Sequence, residues 1–176
     1  MIPGNVEKLI TTDAIAVQIS SLANKIARAM PADLMIVILL RGSFVFAADL
    51  IRALHAVGMH PQVDFLTLAS YGSGIESRGE VTVVRDLTED MQGRDVLIID
   101  DILDSGRTLY FARKLLGERG ATSIKTAVML EKPGKRKVEI NADFIGFTVP
   151  DKFVVGYGLD YANYYRELPY IGALLL

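Results

Sequence analysis

An α/β fold with a parallel-sheet core and helices on both faces is what this chain predicts, and three observations carry that expectation. Wholly apolar runs of strand length stand at Leu34 to Leu40 and Val96 to Ile99, and Ile124 to Leu130 reads as another buried strand, as expected of strands buried on both faces. Two of these runs lead through a small polar loop into a stretch of helical periodicity, the order of a parallel crossover unit. No repeat, low-complexity tract or linker divides the 176 residues, so one domain over 1–176 is expected, long enough to bury a core.

The elements follow in order. Asp13 or a threonine before it can cap a first helix, whose apolar residues Ile15, Ile19, Leu22 and Ile26 recur at helical spacing until Pro31 ends it. The strand Leu34 to Leu40 leads into Arg41-Gly42-Ser43 and a second helix, Phe44 to Val57, closed by Gly58. Val63 to Ser70 and Val81 to Val84 read as strands joined by a Gly- and Ser-rich separator, Tyr71 to Gly79, which is longer than the usual hairpin connection. It is not a dinucleotide fingerprint, because Ser77 stands where a third glycine is required and a strand follows. No Walker A sequence occurs either.

The central unit runs from Val96 to Thr108. Its strand ends in Asp100 and Asp101; Ile102 and Leu103 follow, then the loop Asp104-Ser105-Gly106-Arg107-Thr108, then a helix from Leu109 to Gly120. Strand, polar loop and helix in that order aim unpaired backbone N–H groups at an anion, usually a phosphate. Gly106 permits close approach of the backbone, and Ser105 and Thr108 add hydroxyl donors. Neighbouring strand residues face opposite ways, so one carboxylate of the pair can reach a ligand while the other faces a cation or an adjacent loop. In such sheets ligands bind beyond the carboxyl ends of the strands, where the loops after Leu40, Ile99 and Leu130 emerge. After the third buried strand come Glu131-Lys132-Pro133-Gly134, a basic turn Lys135-Arg136-Lys137 expected to be solvated, and short strands at Phe144 to Val149 and Phe153 to Tyr157.

Composition excludes several function classes. With 19 basic and 21 acidic residues and a net charge of −2, nothing draws the chain to nucleic acid or anionic lipid in general. The absence of cysteine removes disulfides, zinc–cysteine sites and thiol nucleophiles. His55 and His60 flank a helix end, where a favourable dipole contact or a loop position accounts for them. No leader-like segment and no apolar run of membrane-span length is present, so a cytoplasmic protein without a membrane or nucleic-acid partner is expected.

The stretch Val96 to Thr108 resembles the ribose-phosphate motif of type I phosphoribosyltransferases, and the chain as a whole is similar to the bacterial hypoxanthine (hypoxanthine-guanine) branch of that family. The resemblance implies a small hood built from the chain termini. It implies purine salvage: transfer of the 5-phosphoribosyl group from 5-phosphoribosyl diphosphate to N9 of hypoxanthine or guanine, with Mg²⁺ as cofactor, giving IMP or GMP and diphosphate. By the same resemblance the loop Asp104, Ser105, Gly106, Arg107, Thr108 and Leu109 cradles the 5′-phosphate, and Asp100 and Asp101 meet the ribose hydroxyls directly or through Mg²⁺. Asp104 accepts the proton from purine N7. Arg41 and Gly42 hold the diphosphate after a cis Leu40–Arg41 peptide, together with Arg166 and with Ser70 and Tyr71 of a lid spanning Ser70 to Gly79. Some relatives carry lysine at the place of Arg41 and glutamate at that of Asp100, changes that keep the charge.

For the base, the resemblance assigns Lys132 to the 6-oxo group, Phe153 to stacking, Val154 with Lys152 to the purine edge, and Asp160 to the purine and metal side, giving a metal set of Asp100, Asp101 and Asp160. It also implies a homodimer or homotetramer, in which the apolar tail Gly172 to Leu176 serves an interface or folds into its own subunit. Two alternatives stand beside this reading: a transferase for another base such as xanthine, and a nucleotide-sensing regulator on the same fold. Lys132 favours a 6-oxopurine over adenine, since a cation suits a carbonyl and opposes an amino group, and an acid at Asp104 disfavours the regulator.

Overall fold

The computed structural model describes residues 4–70 and 81–175. A six-stranded sheet in the order β4-β3-β2-β5-β6-β7 forms the core, and a three-stranded sheet, β1-β9-β8, forms a separate hood. The core strands are β2 (Met35–Leu40), β3 (Gln62–Ser70), β4 (Val81–Arg85), β5 (Asp95–Leu103), β6 (Ser123–Glu131) and β7 (Phe144–Thr148). All run parallel except β4, which pairs antiparallel with β3 at the edge.

Two-residue alternation along the central strands splits the core into layers. Ile36, Ile38, Leu97 and Ile99 pack with α1 (Thr12–Ala29) and α2 (Phe44–Ala56), whereas Met35, Val37, Leu39, Val96 and Ile98 pack with Leu109, Ala112 and Leu116 of α3 (Arg107–Glu118) on the other face. Helices on both faces are therefore observed, as the buried strands imply. Helix α1 starts on Thr11, whose hydroxyl accepts from the Ala14 N–H at 3.2 Å, so the cap is the threonine and Asp13 sits in the first turn. No helix among the described residues is long and apolar enough to cross a membrane.

The hood comes from the termini: β1 (Asn5–Ile10) pairs with β9 (Ile171–Leu175), which pairs with β8 (Val154–Val155), all antiparallel. Ile171, Ala173 and Leu174 are buried within this same chain, so this part of the tail packs as a strand of its own subunit, whereas Leu175 is 53% exposed. Lys152 donates to Glu7 at 2.9 Å across the hood, and the Tyr157 hydroxyl donates to Asp49 of α2 at 2.6 Å, tying hood to core. Burial, with Asp49 beside it, pushes the Tyr157 phenol well up.

Two boundaries beside the cleft and one exposure differ from the sequence expectation. Strand β5 does not end at Ile99 but continues to Leu103, because β6 keeps pairing with it as far as Leu103↔Glu131. Helix α3 begins at Arg107 rather than Leu109, on a left-handed Gly106 (φ 83°) with no side-chain cap. The Lys135-Arg136-Lys137 turn is not uniformly solvated, since the Arg136 side chain is only 21% exposed.

One buried acid holds the loop after β4. Asp64 accepts from the N–H groups of Phe65, Thr88 and Glu89 at 2.8, 2.8 and 2.9 Å. Burial pushes its carboxyl up, but those three N–H donors outweigh it and hold it below the usual carboxylate range. A depressed acid adds stability above its unfolded value, and that stability is lost as pH falls through the folded value. Asp64→Ala should therefore lower stability at neutral pH by about 1–3 kcal/mol, with a gap from wild type that narrows in acid below pH 4 or so. Thermal melts across a pH series check this; a gap that does not change with pH contradicts it.

Candidate active site

Strand β5 runs further than its neighbour on one side only. Its pairing with β2 is last seen at Ile38↔Ile99, while on the β6 side the ladder continues through Asp100↔Val128. The two acids thus lie inside a strand yet border an opening, and the turn after β2 fills part of it. There the Leu40–Arg41 peptide is cis, Ser43 turns its buried hydroxyl back onto the Leu39 carbonyl, and α2 begins. A cleft of about 280 Å³ results, lined by Arg41, Gly42, Asp100, Asp101 and the segment Ile102 to Gly106, with Thr108 and Leu109 at its far wall.

The contacts in this cleft are close. A Cβ on Gly42 would fall 1.7 Å from Asp101 Oδ2, and a Cβ on Gly158 would fall 2.2 Å from the Gly42 carbonyl, so the Gly42 backbone lies between the Asp101 carboxylate and the hood loop with no room for a side chain. The Asp100 carboxylate accepts from the Asp101 N–H at 3.0 Å and that of Asp101 from the Ile102 N–H at 2.7 Å. Burial, and for Asp100 the charge of Asp101, pushes both carboxyls above the usual range. The pair is an enclosed acid site whose ionisation burial disfavours.

The loop at the head of α3 is the cleft's positive counterpart. Among the described residues no hydrogen bond is made by the N–H groups of Asp104, Ser105, Gly106, Thr108 or Leu109, so the helix N-terminus and the loop before it offer free donors where anions are favoured. Gly106 has to be glycine: its φ is 83°, and a Cβ there would fall 2.6 Å from Ile140.

The structure brings together Arg41, Gly42, Asp100, Asp101, Asp104, Ser105, Gly106, Thr108 and Leu109 around one cavity. The Arg107 side chain is exposed on α3 and does not line it. The residues expected at the base lie outside that lining. Lys132 is buried, follows β6, and donates its N–H to the Leu103 carbonyl at 3.0 Å; among the described residues its ammonium makes no hydrogen bond or ion pair. Phe153 is 46% exposed and meets Tyr161 edge-on at 5.5 Å, leaving a ring face for a planar ligand. Val154 is buried in β8, and the Lys152 ammonium is turned away to Glu7.

Asp160 does not join Asp100 and Asp101 in one cluster. Its carboxylate accepts from the Asn163 N–H at 2.7 Å and pairs with Arg166 at 2.8 Å, and no group of three acidic or histidine side chains fit to hold a metal occurs among the described residues. Arg166 also donates to the Gly158 carbonyl at 2.7 Å and is close enough to draw down the Asp101 carboxyl against its burial. Ser70 closes β3 opposite Val81, whereas Tyr71 and the rest of the expected lid lie outside the described residues.

Sequence reasoning missed two participants. Gly158 is needed for its close approach to Gly42, a requirement only the three-dimensional contact reveals. Arg136, read as one of three solvated cations, donates to the carbonyls of Leu103 and Asp104 at 2.9 Å each, to those of Lys132 and Ile140, and to Glu131.

Known proteins share this fold and much of this sequence. The family described as "Phosphoribosyl transferase domain" matches residues 5–162. The chain is 45% identical to the hypoxanthine phosphoribosyltransferase of Escherichia coli K12 over 174 residues, covering 97% of this chain and 96% of that one. It is 51% identical to the hypoxanthine-guanine phosphoribosyltransferase of Bacillus subtilis over 135 residues, 77% of this chain and 73% of that one. A solved hypoxanthine phosphoribosyltransferase from Staphylococcus aureus superposes with a TM-score of 0.89 at 39% identity, over 96% of this chain and 91% of the other. The chain belongs to the phosphoribosyltransferase family, within its hypoxanthine and hypoxanthine-guanine branch.

Proposed function

We propose that the protein transfers the 5-phosphoribosyl group of 5-phosphoribosyl diphosphate to N9 of hypoxanthine, with guanine as a second substrate, in purine salvage. The observation that carries this is the cleft itself, with N–H groups at the head of α3 that make no hydrogen bond among the described residues on one wall, and the buried Asp100 and half-buried Asp101 on another. The N–H groups seat the 5′-phosphate, and the acids face the ribose hydroxyls. Arg41 and the Gly42 backbone border the diphosphate. Asp104, on the cleft wall between phosphate loop and strand, accepts the proton from N7 as N9 bonds to ribose C1′ and the C1′–oxygen bond to diphosphate breaks.

The acid pair fits Mg²⁺. Two adjoining carboxylates, Asp100 buried and Asp101 half-buried, with no cationic side chain bonded to them among the described residues, present the hard oxygen donors that ion selects. Asp100 and Asp101 would hold the ion together with ligand oxygens, and when bound it offsets charge on the departing diphosphate. Asp160, engaged by Arg166 and the Asn163 N–H, is a candidate on the purine side.

The 6-oxo group is recognised by Lys132, whose ammonium makes no hydrogen bond or ion pair among the described residues and whose backbone N–H bonds the Leu103 carbonyl of the strand that bears the acids. Incubating the protein with 5-phosphoribosyl diphosphate and each of hypoxanthine, guanine, xanthine and adenine tests the assignment. Hypoxanthine and guanine should yield their monophosphates and diphosphate with kcat/KM at least about 100-fold above adenine. Equal use of adenine, or no nucleotide from any base, contradicts it. Lys132→Met should reduce kcat/KM for hypoxanthine by about 10- to 100-fold, the worth of a charged hydrogen bond, with little effect on adenine.

A further inference from the structure

We infer that Arg136 is a positioning residue for the 5′-phosphate seat, fixing the peptide planes of the loop so that their N–H groups face the cleft; the inference rests on the function proposed above. Three consecutive carbonyls are taken from beneath the loop. Arg136 donates to those of Leu103 and Asp104, and the Lys137 N–H donates to that of Ser105 at 2.8 Å. In a planar trans peptide the C=O and the following N–H point in opposite directions. Anchoring these three carbonyls on one side therefore turns the N–H groups of Asp104, Ser105 and Gly106 to the other, and all three residues line the cleft.

The same guanidinium reaches the base side. It donates to the Lys132 carbonyl at 3.2 Å, while the Lys132 N–H donates to the Leu103 carbonyl that Arg136 also holds. One side chain thus ties the phosphate loop to the backbone that carries the 6-oxo donor. Nη1 reaches the carbonyls of Leu103, Asp104 and Lys132, while Nε donates to the Ile140 carbonyl and Nη2 to Glu131, a spread of donors that a lysine's single ammonium cannot reproduce. Glu131 pairs with it at 3.2 Å and is itself held by the Thr148 hydroxyl at 3.0 Å, so the guanidinium is anchored from β6 and β7. The Arg136 stem also passes 3.5 Å from the place a Gly106 Cβ would occupy, directly under the turn.

The test compares how tightly the intact protein and its variants bind inosine 5′-monophosphate and inosine, read by titration calorimetry. Their affinity ratio isolates the grip on the 5′-phosphate from overall stability. Arg136→Met should lower that ratio about tenfold, as expected when charged hydrogen bonds orienting the donors are lost. Arg136→Lys, which keeps charge and stem, should fall between it and wild type and decides the matter if the methionine variant does not fold. Thr148→Val, at the far end of the same network, should lower the melting temperature and leave the ratio at its wild-type value. An unchanged ratio in the arginine variants overturns the inference, as does a fall in Thr148→Val equal to that in Arg136→Met. A wild-type protein that binds the nucleoside as tightly as the nucleotide removes the phosphate seat itself and with it the proposed function.

Discussion

Asp104→Asn is expected to lower kcat for nucleotide formation from hypoxanthine by about 100-fold or more, with the KM for 5-phosphoribosyl diphosphate nearly unchanged. Asparagine matches aspartate in size, and the backbone at this position is held independently, its carbonyl by Arg136. The seat for the phosphate therefore survives the substitution, and what is lost is the capacity to take the proton that N7 gives up as the glycosidic bond forms. A loss confined to kcat is the signature of an interaction made in the transition state. Steady-state kinetics decide it: near-full activity removes Asp104 from the reaction, and a KM effect without a kcat effect reassigns it to substrate binding.

Gly42→Ala should be nearly as damaging for a different reason. A methyl group at this position would overlap Asp101 Oδ2, at 1.7 Å, so either the carboxylate rotates away from the cleft or the Arg41-Gly42 turn retreats from it. Retreat is blocked from behind, because Gly158 already packs on the Gly42 carbonyl so closely that a Cβ there would lie 2.2 Å away. Displacing a reacting group by about 1 Å costs on the order of 100-fold in rate, and overpacking costs about 1–3 kcal/mol in stability. Gly93→Ala separates the two effects. Gly93 has a positive φ of 72° but nothing within 4 Å of a Cβ, so that variant should lose some stability and keep its kcat. A fully active Gly42→Ala enzyme would show that the contact between turn and acid is not needed for catalysis.

The sequence made the sheet legible because its strands are buried on both sides. Met35 to Leu40 and Val96 to Ile99 carry no polar residue, and few structures other than the centre of a parallel sheet accommodate that. The phosphate loop was legible because Gly106, the hydroxyls and the helical run after them are neighbours in the chain. What sequence hid was whatever depends on contacts between distant segments. The extension of β5 beyond Ile99 exists because β6 continues to pair with it, and no local signal in Asp-Asp-Ile-Leu announces a strand. Arg136 stands between two lysines that are exposed, so its burial and its hold on carbonyls some thirty residues earlier in the chain had no local signature. Asp160 carried the family pattern for the metal side, yet its pairing with Arg166 depends on how the loop after β8 folds over Gly42. The hood was foreseen only through resemblance, since β1, rich in charge and exposed along much of its length, has no apolar run to mark it.

A structure of the protein with inosine 5′-monophosphate bound tests the central claim most directly. The account predicts phosphate oxygens within hydrogen-bonding distance, about 2.7–3.2 Å, of N–H groups between Ser105 and Leu109. It also places the ribose hydroxyls beside Asp100 and Asp101, N7 facing the Asp104 carboxylate, and the 6-oxo group at the Lys132 ammonium. A nucleotide whose phosphate lies away from the head of α3, or whose base lies out of reach of Asp104, would contradict it.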